Sequence, residues 1–117
     1  MEEQALIYSA LASDEDFREI VEMFVDEMQG RIQRFETAFA AKNWADLQIA
    51  AHQLKGSAGG YGFMPVSEAA AALNELLKNN ASETEIETAM NALIAVCRRI
   101  TAKPSVAEAT EGSFANV

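Results

Sequence analysis

The chain holds a single histidine, His52, which opens the run "HQLKGSAGGYGF". A neutral imidazole is both a nucleophile and a proton carrier near physiological pH. A cation, Lys55, stands three residues on, and Gly56, Gly59, Gly60 and Gly62 follow, four of the six glycines in the chain. Proton-relay catalysis needs a second acid, base or nucleophile within reach of the first. No Ser/His/Asp set, paired-carboxylate pattern or nearby cysteine supplies one, and Cys97 lies on an apolar seam where a small buried hydrophobe is the default reading. Attack on a phosphoryl group asks less of the chain, provided that a partner brings the donor and the metal. Lys55 would then offset part of the charge placed on the ring, by about 1 kcal/mol at a solvated site.

The glycines follow directly on the helix-forming run "WADLQIAA". Each glycine in a helix interior costs about 1 kcal/mol relative to alanine, against a total stability of only about 5–15 kcal/mol. A helical wheel with His52 at the origin puts Leu47, Leu54 and Tyr61 at about 180–220°, with Ala50, Ala51 and Ala58 beside them. That side is the core stripe, so His52 points away from it. Ala45, Gly56 and Gly59 share the histidine's face, Gly60 flanks it, and Phe63 falls in line if the helix persists that far. Lys55 sits about 60° to the other side. The glycines read as a smooth approach to an exposed imidazole with a cation at its edge. Close helix packing is the competing reading for Gly59, Gly60 and Gly62, whereas access is the stronger explanation for Gly56. Gly59 and Phe63 are candidate docking contacts for a partner; Phe63 and Met64 read equally well as a plug for the bundle's end.

The elements that must hold this face are helical. A short helix is expected over about the first eleven residues. Ser13, followed by Asp14, Glu15 and Asp16, reads as an N-cap with acids in the first turn. Phe17, Ile20, Val21, Phe24, Met28, Ile32, Phe35 and Phe39 then recur at mainly three- and four-residue steps, which predicts one long amphipathic helix, with Gly30 as the site of a slight bend. Asn43 caps the helix that carries His52. "GFMPVS" ends it, and Pro65 suits the first turn of the next, whose buried stripe is Val66, Ala70, Leu73 and Leu77. Ser82 and Glu85 form a capping-box pattern ahead of Ile86, Met90, Leu93, Cys97 and Ile100. The expected fold is all-α, an antiparallel up-down four-helix bundle with a short extra N-terminal helix, formed by residues 1–103 and followed by a flexible tail over 104–117.

At 117 residues the chain suffices for one core. Nine basic and eighteen acidic residues give a net charge of −9, which repels nucleic-acid backbones and anionic lipid, so neither partner is expected. One cysteine allows no internal disulfide, and with one histidine it cannot fill a structural zinc site. The stretch "MEEQALIYSALASDED" has no basic n-region and no long apolar segment, so a soluble cytoplasmic protein is expected.

The stretch "AAHQLKGSAGGYG" resembles the signature of histidine-containing phosphotransfer (HPt) domains: a histidine, then Leu54, Lys55 and Gly56 at two, three and four residues on, and Gly62 at ten. The resemblance covers roughly residues 14–101 and includes the "NW" turn and the segment "ALNELLKNN". It implies a protein that shuttles phosphoryl groups between receiver-domain aspartates in phosphorelays. His52 would accept and donate through Nε2, Lys55 would be the neighbouring cation, and Gly56 the clearance that lets a receiver close over the ring. Asn74 stands where the family often carries a glutamine or glutamate near the histidine's other nitrogen. Lys78, one turn on, either adds to the positive field or is a solvated helix lysine. The implied partners are response-regulator receiver domains and hybrid sensor histidine kinases, with Mg²⁺ on the receiver and this chain a monomer. No Gly-rich ATP loop or kinase signature occurs, so the chain reads as a phosphoryl carrier with no cofactor of its own, not an enzyme. The rival reading is a non-catalytic interaction bundle with His52 incidental. A metal-binding bundle lacks the paired Glu-x-x-His ligands that it would need.

Overall fold

Most helices begin where a side chain satisfies a free N–H group of the first turn. In the computed structural model, which describes residues 5–103, the elements run β1 (Ile7–Tyr8), α1 (Glu15–Asp26), α2 (Met28–Ala40), α3 (Trp44–Gly60), α4 (Met64–Lys78), α5 (Glu83–Cys97) and β2 (Ile100–Thr101). Asp14, one residue beyond the expected Ser13, caps α1 by accepting from the Asp16 N–H at 2.9 Å. Asn43 caps α3 through the Asp46 N–H at 3.1 Å. Ser82 and Glu85 make both halves of the capping box on α5. Helix α4 has no side-chain cap and starts instead on Pro65 in its first turn, where a missing N–H costs nothing.

Helix α2 packs on α3, α3 on α4, α4 on α5, and α5 back on α2, closing four helices around one core. The expected stripes of α4 and α5 are buried, as are Leu47, Ala51, Leu54 and Ala58 of α3, but α5 ends at Cys97 and Ile100, expected on its seam, lies in β2. Cys97 is part of this core, and burial pushes its thiol up to about 12 against the opposing pull of Arg31 and Arg98. It therefore stays a protonated, inert hydrophobe.

Three expectations are corrected. The single long helix is two, parted at Glu27 and not bent at Gly30. Arg31 donates through Nη1 to the Phe24 carbonyl at 3.3 Å and holds its guanidinium 4.6 Å from the Phe24 ring centroid, so a side chain intrudes on the helix ladder just there. Phe17 and Ile20, expected in the buried stripe, remain 38 % and 39 % exposed. In place of an extra N-terminal helix, the described residues form a strand at Ile7–Tyr8 that pairs in parallel with Ile100–Thr101. The Ile7 N–H donates to the Arg99 carbonyl at 2.8 Å and Arg99 Nε to the Ala5 carbonyl at 2.7 Å. A distant segment thus offers this backbone partners that a local helix would have had to replace. Residues 1–4 and 104–117, and with them the expected tail, lie outside the described residues.

The N-terminal segment continues over the α3–α4 turn. Ser9 Oγ donates to the Tyr61 carbonyl at 2.6 Å, and the Ala10 N–H donates to the Gly62 carbonyl at 2.9 Å. Gly62 has φ +85°, and a Cβ there would lie 2.6 Å from Ser9 Oγ and 2.8 Å from the Ala10 nitrogen. Of its two readings, close packing is correct. Gly62→Ala should destabilise the fold by about 2–4 kcal/mol, because it combines left-handed backbone strain with a collision against main chain. Thermal unfolding should show a melting point lower by about 10 °C or more.

Candidate functional site

The rotation of α3 about its axis decides which residues meet solvent. Its buried side is held by Leu47, Ala51, Leu54 and Ala58, which leaves His52 exposed on the opposite side, as the wheel predicts. Against α4 the two backbones approach closely: Ser67 Oγ donates to the Lys55 carbonyl at 2.8 Å, and a Cβ on Gly59 would lie 3.4 Å from that same Oγ. Gly59 thus faces Ser67 across the seam with α4, where a Cβ would stand at ordinary contact distance.

An open groove of about 570 Å³ runs between α3 and α4, lined by His52 and Lys55 from one helix and Asn74 and Lys78 from the other. Four of the residues singled out in the sequence thus share one concavity. Gly56 faces open space: a Cβ there would find nothing within 4 Å, and the same holds at Gly60. The access reading of Gly56 agrees with this geometry. Phe63 is different. Helix α3 ends at Gly60, and Phe63 turns inward as the N-cap of α4, fully buried with its ring 5.6 Å from that of Phe24. It plugs the bundle and offers a partner no surface. Met64 beside it is exposed.

Asn74 carries the one unsatisfied buried side-chain atom found among the described residues: the side chain is only 5 % exposed, and Oδ1 has no hydrogen-bond partner. A buried carbonyl left unpaired costs about 1–3 kcal/mol.

Sequence reasoning missed the flank on α2. Arg34 makes a two-pronged ion pair with Asp46, Nη2 to Oδ1 at 2.7 Å and Nε to Oδ2 at 3.3 Å, and its Nη1 donates to Gln53 Oε1 at 3.1 Å. The hydrogen bond from Arg34 holds the Asp46 carboxyl below the usual carboxylate range and raises the guanidinium in turn. Gln53 also lines the histidine groove, so the pair steadies one edge of it. No helical spacing announces a bond between two helices. Ile49, 50 % exposed in the same groove, did leave a signal: it is an apolar residue on the polar side of the wheel.

Chemically, this is an outward imidazole with two lysines beside it, no carboxylate among the groove's lining residues, and no side chain in the lane along Gly56. It suits an electrophile that arrives with negative charge from a large partner. Among the described residues no group of three or more His, Cys, Asp or Glu could hold a metal ion, and no helix is long and apolar enough to cross a membrane.

A family model described as "Hpt domain" matches residues 19–103. No curated protein and no solved structure matches the chain.

Gly56 and Gly30 are both helix-interior glycines with open space where a Cβ would stand. Gly56→Ala and Gly30→Ala should each stabilise the fold by about 0.5–1 kcal/mol, and additively, because alanine lowers the entropy of the unfolded chain without a clash. Denaturant melts of the two single variants and the double variant measure this. A destabilised Gly56→Ala would mean that the glycine serves packing.

Proposed function

The chain belongs to the Hpt domain family, and we propose that His52 takes a phosphoryl group from a receiver-domain aspartate and passes it to another, as a carrier in a two-component phosphorelay. The observation that carries this reading is the outward imidazole above the empty space at Gly56. In the forward step the Nε2 lone pair forms a bond to phosphorus, the bond between phosphorus and the aspartyl oxygen breaks, and the carboxylate leaves with its electron pair. The ring keeps its Nδ1 proton and becomes a phosphoimidazolium, which is itself a good donor for the reverse reaction at a second aspartate.

Lys55 and Lys78 favour the arriving negative charge, a modest effect at solvated side chains. Asn74 Oδ1 has the acceptor that an Nδ1–H requires: binding it would fix the tautomer that leaves Nε2 free, and would satisfy the unpaired carbonyl. Mg²⁺ and most of the charge stabilisation belong to the receiver. The carrier has no kinase activity of its own and works as a cytoplasmic monomer, its four helices following an up-down antiparallel course through short turns. Hybrid sensor kinases and response regulators supply the receivers.

Incubation with a phosphorylated receiver should place an acid-labile, base-stable label on this chain, and His52→Gln should abolish it. Label that persists in His52→Gln would refute the assignment. Gly56→Leu should lose receiver-dependent transfer with its melting curve intact; transfer at the normal rate would favour the plain interaction bundle. Asn74→Leu should be as stable as the parent or more so by about 1 kcal/mol, because it removes an unpaired buried oxygen. Its transfer rate should nevertheless fall about tenfold, the equivalent of about 1.4 kcal/mol in the barrier, with Asn74→Gln restoring it.

A further inference from the structure

The Arg34 guanidinium has three nitrogens that can donate, and α3 engages all of them. Nε and Nη2 donate to the two oxygens of Asp46, at 3.3 and 2.7 Å, and Nη1 donates to Gln53 Oε1 at 3.1 Å. Asp46 and Gln53 are seven residues apart, about two helical turns, so they share one side of α3. A planar guanidinium held at three points keeps one orientation. The bond from Arg34 also holds the Asp46 carboxyl below its usual range, so the anchor of this clamp is an anion at neutral pH.

The clamp decides which way the Gln53 amide faces. A guanidinium has donors and no acceptor, so only the carbonyl end of an amide can meet it. Nε2 and its two N–H groups are thereby turned away from Arg34. Gln53 borders two concavities: a hollow of about 280 Å³ that Arg31 and Arg34 also line, and the groove that holds His52. With the carbonyl committed on the side of the hollow, the amide donors are left to the groove. On the helical wheel Lys55 stands about 60° to one side of His52 and Gln53 about 100° to the other. No carboxylate lines the groove to take up these donors. We infer that Gln53 Nε2 donates a hydrogen bond to an oxygen of the phosphoryl group on His52, from the flank opposite Lys55, and that Arg34 is a positioning residue that acts through Gln53. An untethered glutamine would give up its rotamer freedom at each transfer. Tied to Arg34, it has given up that freedom beforehand, so more of the hydrogen bond is realised. The bond strengthens further when a receiver closes over the groove and excludes water. This inference rests on the phosphotransfer reading of His52.

The test uses the full-length chain and three variants at exposed positions, Gln53→Met, Arg34→Lys and the two combined. Lysine keeps the charge at 34 but has no planar fork to grip Asp46 and Gln53 together. The donors are phosphoramidate, a small molecule that needs no docking, and the receiver domain of the source organism that labels this chain fastest. At saturating phosphorylated receiver, Gln53→Met should take label about tenfold more slowly, with the receiver concentration at half-maximal rate unchanged. Arg34→Lys should slow transfer about threefold, and the double variant should be no slower than Gln53→Met, because Arg34 acts through the amide alone. Phosphorylation of the unaltered chain by phosphoramidate should move the Gln53 side-chain amide proton signals downfield, a readout that stands even where a variant folds poorly. Amide signals that phosphorylation leaves in place, or a Gln53→Met rate within about twofold of the parent, would overturn the inference and leave the phosphotransfer reading intact. Losses that multiply in the double variant would overturn the part given to Arg34. Failure of both donors to label the unaltered chain would defeat the phosphotransfer reading, and this inference with it.

Discussion

The close approach of α3 to α4 is the constraint on which the site depends. Alanines line the buried side of α3, Gly59 faces Ser67 of α4, and the Ser67 hydroxyl donates to the Lys55 carbonyl. Small side chains let the helices meet with little freedom to rotate, and rotation is the coordinate that matters. A turn of α3 by one residue's worth, about 100°, would carry His52 out of the groove that it shares with Asn74 and Lys78. The same contact aligns α4, so Lys78 and Asn74 owe their places in the histidine's groove to it as well.

Around that contact the molecule retains features that lower its own stability. Gly56 stands in a helix interior with no neighbour to accommodate, and the Asn74 carbonyl is buried without a donor. Gly56 leaves open space on the exposed side of α3, and Asn74 lines the groove that holds His52. Gly62 looks similar in the sequence but does the opposite work, since it sits under the N-terminal segment. Glycines within seven residues of one another thus divide between clearance and close contact, and only their surroundings tell them apart.

The face that carries the site extends further than the histidine. Arg34, by tying Asp46 and Gln53 together, joins α2 to α3 and sets the wall between neighbouring hollows. The Arg31 guanidinium lies over the Phe24 ring and takes the Phe24 carbonyl where α1 gives way to α2. One arginine therefore lines a surface hollow and marks the break between α1, with Phe17 and Ile20 exposed, and α2.

Much of this was legible in the chain because it is local. Caps at Asn43 and Ser82, the proline start of α4, the buried stripes and the outward turn of His52 all follow from residue type and a period of 3.6, which act over a few positions. The placement of Cys97 in the core follows from the same pattern. What only the tertiary structure decided involves partners far apart in the sequence. The N-terminal segment became a strand because the chain near Arg99 offers it hydrogen bonds, and Phe63 turned inward because the Phe24 ring waits there. Asn74 came to lie beside His52, its carbonyl unpaired, through the packing of α4 on α3. Periodicity states which side of a helix is apolar, but not what that side will meet. The meeting is settled by the competition of all segments for one core.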